Sequence, residues 1–386
     1  MITMAESSFA AMETFLSAPL IQIHLPEETS PLFNSFSDIE FPRVCVLNKN
    51  EVIELFDILL PSFAKFHSRG RRARFSRLDS VVLYLFFMST GMSFAKTSAV
   101  LKIPVDTLCT TIDRIANILH DGLVVPWSLN PPRPVLSSMI VNAGLLVDAT
   151  YVPVPRVLDD FEAGKVLWDE HHKVYAVKKQ ICIQAGFPFL AVHSAPKEVG
   201  SKADVKILKK NANSIEPLTE TPNGRCSVIG DKGYITGDPL PFRLVTPKRT
   251  NMAGYNPAEN ILIAQARVHV EQFFGRMKCT WKVLAGKYRR ALVHLDRDFD
   301  ILVVLTNRLI SARPLPTVSE QTIWTRIHEQ LRQRYITEHL RKRARISVAA
   351  ATRRIAMVEE RVPVEDGSWL DMVDTDDEDE AEGEQQ

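Results

Sequence analysis

Gly144-Leu145-Leu146-Val147-Asp148-Ala149-Thr150-Tyr151-Val152-Pro153-Val154 is the stretch on which the fold turns. Its aliphatic and β-branched residues read as a strand over 144–154, bounded by the prolines before it. An aspartate inside such a strand costs on the order of several kcal/mol unless it meets a cation or another partner. Downstream, residues 174–184 read as a second strand and 189–194 as a third, joined as a hairpin by the Gly186-Phe187-Pro188 turn. A short helix over 204–210, a buried strand over 226–230, a further strand over 243–246 and a long helix over about 257–284 complete one mixed α/β domain. Two more acids stand out along this path. Asp231 ends the apolar run Val228-Ile229-Gly230, and Glu271 lies within the long helix.

Upstream the period changes from two to that of a helix. Ile53, Phe56, Leu59, Leu60, Phe63 and Phe66 follow helical spacing, and a dense basic linker with Arg71, Arg72 and Arg74 comes next. A helix over 78–89 breaks at Gly91-Met92, and Ser93 is an N-cap for a short helix through Leu101. Lys102-Ile103-Pro104 makes a turn. The helix over 105–119 then carries Leu108, Ile112, Ile115, Ala116 and Leu119 on one face and Thr107, Thr110, Thr111, Arg114 and Asn117 largely on the other. A short helix, a tight turn and a longer helix with a polar outer face is the layout of a helix-turn-helix, whose second helix enters the DNA major groove. A plain helical bundle explains the same pattern. Pro126, Pro131, Pro132 and Pro134 mark a linker between these helices and the strands.

Of the 386 residues 45% are apolar and 24% charged, which excludes a disordered or collagen-like chain. The five cysteines (Cys45, Cys109, Cys182, Cys226, Cys279) are far apart and include no C-x-x-C pair, so neither a disulfide framework nor a zinc finger is encoded. No Lys or Arg precedes Arg43, and the longest apolar run, residues 81–88, is far short of a membrane span. A soluble intracellular protein with no membrane partner is expected. The net charge of +1 hides an asymmetry: residues 359–386 hold 13 Asp or Glu against one Arg, which leaves residues 1–358 at +13. Such a body suits a polyanionic partner, and a tail stretch such as Asp374-Thr375-Asp376-Asp377-Glu378-Asp379-Glu380 has nothing apolar to bury. Residues 322–358 read as a basic helical region whose cluster Arg341-Lys342-Arg343-Ala344-Arg345 suits nuclear import or phosphate contact.

The element order is also that of a ribonuclease H-like core, in which the first strand is central and the fourth lies beside it. Asp148 and Asp231 would then be neighbours, with the long helix bringing Glu271 over them. Converging carboxylates repel unless divalent cations neutralise them, and oxygen-only ligation with open positions suits Mg²⁺ or Mn²⁺. Two such ions can activate a nucleophile and stabilise the leaving oxygen during attack on a phosphodiester.

The blocks Leu146-Val147-Asp148-Ala149-Thr150, residues 172–180, Gly230-Asp231-Lys232-Gly233-Tyr234, Thr246-Pro247-Lys248-Arg249 and Arg267-Val268-His269-Val270-Glu271 resemble DDE transposases, nearest in look to the Harbinger and IS5-like branch. The resemblance covers about residues 75–310. It implies that Asp148, Asp231 and Glu271 are a catalytic, metal-binding triad holding two Mg²⁺ or Mn²⁺ ions. It also implies a nuclear DNA transposase or endonuclease that hydrolyses phosphodiesters and transfers strands. Its partners would be double-stranded DNA, as element terminal repeats and target DNA, a second copy of the chain on that DNA, and in some settings a separate DNA-binding protein. Arg267, Glu271 and Lys278 match an Arg-x3-Glu-x6-Lys signature. On one helix Arg267, Lys278 and Lys282 would flank the acid and hold DNA phosphates. The signature's tyrosine position is Ala264, and a Gly-Ser-x-His-Asp element is matched loosely by residues 200–204, with Ala203 for the histidine. His171 and His172 lack metal-ligand spacing.

The expected organisation is an N-terminal arm over 1–50, a helix-turn-helix-like DNA-binding module over 51–122 and a linker over 123–142. A ribonuclease H-like catalytic domain over 143–312, a basic helical extension over 313–358 and an acidic disordered tail over 359–386 follow. DNA contacts are expected from Arg71, Arg72, Arg74, Thr107, Thr110, Thr111, Arg114, Arg267, Lys278 and Lys282. The competing class is a DNA- or chromatin-binding protein derived from such an enzyme that no longer moves DNA.

Overall fold

Strand β1 (Ala143–Pro153) runs through the middle of a seven-stranded mixed sheet. The computed structural model describes residues 30–65, 75–137, 140–157, 161–170, 172–222 and 224–315. Arg71, Arg72, Arg74 and His171, most of the N-terminal arm, the basic helical extension beyond residue 315 and the acidic tail lie outside the described residues. On one side β1 pairs antiparallel with β3 (Val174–Gln184), in a register that sets Asp148 opposite Ile181 and Tyr151 opposite Lys178. The short strands β2 (Trp168–Asp169), β4 (Ala191–Ser194) and β5 (Glu198–Val199) all pair with β3. A small hairpin, β6 (Glu220–Thr221) and β7 (Gly224–Arg225), stands apart. On the other side β8 (Ser227–Ile229) runs parallel to β1, with Ile229 opposite Leu146, and β9 (Leu244–Val245) runs parallel to β8.

The pleat sorts the side chains of β1. Leu145 and Val147 pack on the core formed with helix α5 (Asp204–Ile215), through Leu208, Ala212 and Ile215. Leu146 and Val152 belong to the larger core on the opposite face. That core takes in helices α6 (Pro257–Thr280) and α7 (Leu295–Ala312) and, without a break, the N-terminal helices α1 (Lys49–Lys65), α2 (Arg77–Thr90), α3 (Phe94–Leu101) and α4 (Val105–Leu119). Residues of 51–122 and of 143–312 therefore bury one another.

Local chemistry sets the helix ends. Ser76 and Ser93 cap α2 and α3 by accepting from the backbone N–H of Asp79 and Lys96. Gly91 ends α2 at φ +62°, and a Cβ there would stand 2.7 Å from the backbone carbonyl carbon of Lys282. Only glycine satisfies both the left-handed turn and that approach.

Several bounds differ from the sequence expectation. Helix α5 runs on to Ile215, and β8 and β9 are shorter than their apolar runs. The expected helix over 257–284 stops at Thr280, because Trp281 turns out of the helix into the core. There it is fully buried and donates from Nε1 to Thr306 Oγ1 at 3.0 Å. Lys282 opens a separate short helix, Lys282–Ala285, and is exposed, so it does not continue the face of Arg267, Glu271 and Lys278.

Two histidines make the fold acid-sensitive. His193 on β4 and His269 on α6 are held neutral by burial, which lowers each to about 4. Lys179 reinforces the shift at His193. The unfolded chain binds their protons near pH 6.5, so stability falls as pH drops from 6.5 towards 4. The expected loss is about 2 kcal/mol per histidine between pH 6.5 and 5, converting each unit at about 1.4 kcal/mol. Urea midpoints at pH 7 and pH 5 measure it, and His193→Leu should flatten part of the slope.

Candidate active site

Asp148 sits inside β1, two residues past Leu146, and Asp231 follows β8, two residues past Ile229, so both acids lie two residues beyond the registered pair Leu146–Ile229 of adjacent parallel strands. At Gly230 the chain leaves the sheet. Asp231 caps the turn Lys232–Tyr234, its Oδ1 accepting from the N–H of Gly233 at 2.8 Å. Asp148 Oδ1 accepts from the N–H of Ala149 at 2.9 Å and Oδ2 from Arg267 Nη2 at 3.3 Å. Burial pushes Asp148 up to about 6, against the opposing pull of Arg267 and the Ala149 amide, and the charges of Asp231 and Asp204 add to the rise. A half-buried carboxylate among other carboxylates is short of positive charge.

Helix α6 brings Arg267 across this end of the sheet, and Glu271 stands one turn further along. Arg267 Nη2 lies 3.8 Å from Glu271 Oε1, so one guanidinium stands beside both acids. Glu271 is 60% exposed at its side chain. Arg267, expected on DNA phosphates, is thus engaged with the acids. Among the described residues, no group of three or more His, Cys, Asp or Glu side chains is close enough to hold an ion. The donor chemistry nevertheless fits a hard divalent cation, because Asp148, Asp231 and Glu271 offer carboxylate oxygens and Asp148 carries an unfavourable buried charge.

A polar network that the sequence reading did not anticipate lies around the acids. Lys178 on β3 meets Asp204 Oδ1 at 3.1 Å and donates to the Lys202 carbonyl at 3.0 Å. Gln180, fully buried on the same strand, donates from Nε2 to Tyr234 Oη at 3.1 Å. Tyr234 is itself fully buried, three residues after Asp231. Gly200, before α5, has the Leu167 and Ala176 carbonyls where a Cβ would point, at 2.5 and 2.6 Å. The sequence signal was present in the alternation of β3, where Lys178 and Gln180 share a face. Their partners lie more than twenty residues away.

The expected DNA-contact residues of α4 fall into two groups. Thr110 and Thr111 are turned back on the helix, their hydroxyls donating to the Asp106 and Thr107 carbonyls at 2.8 and 2.7 Å. Thr107, Thr111 and Arg114 are half-buried and Thr110 is exposed. Asn117, placed on the same polar face by the sequence, accepts from Arg297 of α7 at 2.7 Å. Lys278 lies on α6, with its ammonium 4.1 Å from the ring centroid of Tyr151.

A mixed sheet with many helices fits a DDE nuclease fold. Residues 147–307 match the family model described as DDE superfamily endonuclease, which supports a place in the DDE transposase family and a nuclease or transposase function. No curated protein matches the chain. The matched segment contains Asp148, Asp231 and Glu271.

Proposed function

We propose that the chain is a DNA-cutting and strand-joining enzyme of the Harbinger and IS5-like branch, built on a ribonuclease H-like catalytic domain. Its triad is Asp148, Asp231 and Glu271. The observation that carries this reading is the register: Asp148 and Asp231 each lie two residues beyond the pair Leu146–Ile229 of neighbouring parallel strands, and Arg267 stands beside both Asp148 and Glu271. The three carboxylates would hold two Mg²⁺ or Mn²⁺ ions. Such ions, when bound, activate an oxygen nucleophile and stabilise the leaving oxygen at a phosphodiester. The chain's own residues do the rest. The Ala149 and Gly233 amides fix the carboxylates of Asp148 and Asp231. Arg267 orients Asp148 and supplies positive charge beside the strand ends.

The substrate in this reading is double-stranded DNA, at element ends and at the target, with a second copy of the chain assembled on it. The helices of 51–122, the linker arginines Arg71, Arg72 and Arg74 and the basic region 322–358 would add binding, and the last of these would direct the protein to the nucleus. A separate DNA-binding protein would share recognition if α4 does not reach the groove. The experiment uses the full chain with duplex DNA carrying its flanking genomic repeats. Cutting is expected with Mg²⁺ or Mn²⁺, should vanish in EDTA and should return when the ion is restored. DNA binding without cutting in either ion would favour a derived DNA-binding protein instead.

A further inference from the structure

Lys278 is a half-buried cation with no carboxylate within ion-pair distance among the described residues. Seven residues, about two turns, separate it from Glu271 on the same helix, so it stands roughly 10 Å along α6 from that acid. Burial lowers its ammonium to about 8. The residue that meets it is Tyr151, which follows Asp148 by three positions on β1. Beyond Leu146 and Ile229 the ladder between β1 and β8 has ended, which leaves that edge of β1 open to α6.

Tyr151 is itself supported. Its ring lies 4.1 Å from the ring of His172, centroid to centroid, at 37°. His172 is fixed by Asp169, which is nearly fully buried: Asp169 Oδ1 accepts from the His172 backbone N–H at 3.0 Å, and Oδ2 lies 3.2 Å from Nδ1. A chain of contacts thus runs from a buried acid through an imidazole and a phenol to an ammonium beside the candidate active site.

We propose that Asp169, His172 and Tyr151 form a shelf that positions the Lys278 ammonium, already expected on DNA phosphates, at a fixed place near the acids. The inference rests on the DNA-cutting reading above, takes the phosphate contact of Lys278 from it, and adds the residues that position that lysine. A lysine is a compact charge on a flexible stem, and left in water it samples many rotamers. An aromatic face attracts the ammonium and fixes it without neutralising it, so the positive charge remains available to an anion. A carboxylate partner would cancel that charge. The phosphodiester backbone of DNA supplies anions at regular spacing along the line from Glu271 to Lys278. Tyr151 and His172 are positioning residues in this account, because they act through Lys278.

The test has two arms on the full chain. In the first, without DNA or metal, the lysines are ¹³C-dimethylated and the Lys278 signal is assigned with Lys278→Met. A ring-current displacement is expected in the wild type and in Tyr151→Phe, and its collapse towards the position of exposed lysines in Tyr151→Leu. In the second, duplex DNA binding is measured across a salt series. Tyr151→Leu should weaken binding about three- to tenfold and lower the salt slope by about one. Lys278→Met should do the same, and the double variant should match either single. Tyr151→Phe should remain near wild type. An undisplaced wild-type signal, or additive losses in the double variant, would overturn the shelf. A wild type without DNA affinity even at low salt would overturn the phosphate contact of Lys278 and the DNA-cutting reading together, and the first arm alone would then report on the shelf.

Discussion

Asp148→Asn is expected to abolish DNA cutting while leaving the chain folded. The substitution keeps the shape and the acceptor that meets the Ala149 amide, but it removes the charge that would hold a divalent ion. Asp231→Ala and Glu271→Ala should fail to the same extent, because ligands of one metal site act as a unit and their losses do not add. The expected drop is three orders of magnitude or more, roughly 4 kcal/mol of barrier. Single-turnover cleavage of a repeat-bearing duplex measures it, with a circular-dichroism melt as the check on folding. Little change in thermal midpoint is expected for Asp148→Asn, since burial disfavours the charged carboxyl. A variant that cuts at near wild-type rate would remove its residue from the triad.

Some of this site could be read from local pattern and some could not. Strand β3 and helix α4 begin and end where the periodicity begins and ends, because each buries a complete stripe or face. Asp148 and Asp231 were visible as charges at the ends of apolar runs, where a local desolvation cost calls for a partner. The partner itself was not visible, since Arg267 lies 119 residues from Asp148. The helix over 257–284 was expected to be continuous because nothing in residues 278–284 breaks a helix locally. A core position for Trp281 overrides that propensity, and Lys282 leaves the face with it. Helix α7 lies outside the elements expected from the sequence, and Asp296, Asp298 and Asp300 lie on it. Their counter-charges come from elsewhere in the chain: fully buried Lys179 of β3 lies 3.0 Å from Asp296 and 3.2 Å from Asp300. Pairing across such distances is a property of the folded topology and leaves no trace in a sequence window.

The largest effect on stability is expected at Arg290. Its guanidinium is buried between Asp298 of α7 and Asp113 of α4 and pairs with both. Asp298 is fully buried and also accepts from Tyr288 Oη at 2.7 Å, while Arg297 reaches Asp113 at 3.0 Å. The cluster therefore joins an N-terminal helix to the last helix of the sheet domain through a guanidinium that water hardly reaches, with Asp298 buried and Asp113 partly exposed. Arg290→Ala should cost about 3–5 kcal/mol, because it strands Asp298 without its main cation. Burial already pushes Asp298 up against the opposing pull of Arg290. Without the arginine the carboxyl should keep its proton to higher pH, and a folded-state value above the unfolded one means that stability is lost as pH rises. The deficit should thus be smaller near pH 5 than near pH 8, apart from the acid loss shared with wild type through His193 and His269. Replacing the pair together, as Arg290→Met with Asp298→Leu, should recover much of the loss, since an apolar pair of similar volume avoids the desolvation. Urea unfolding of the wild type, Arg290→Met, Asp298→Leu and the double variant at both pH values gives the coupling directly. Additive losses for the two single replacements would mean that Arg290 and Asp298 contribute separately and that the buried pair does not act as a unit.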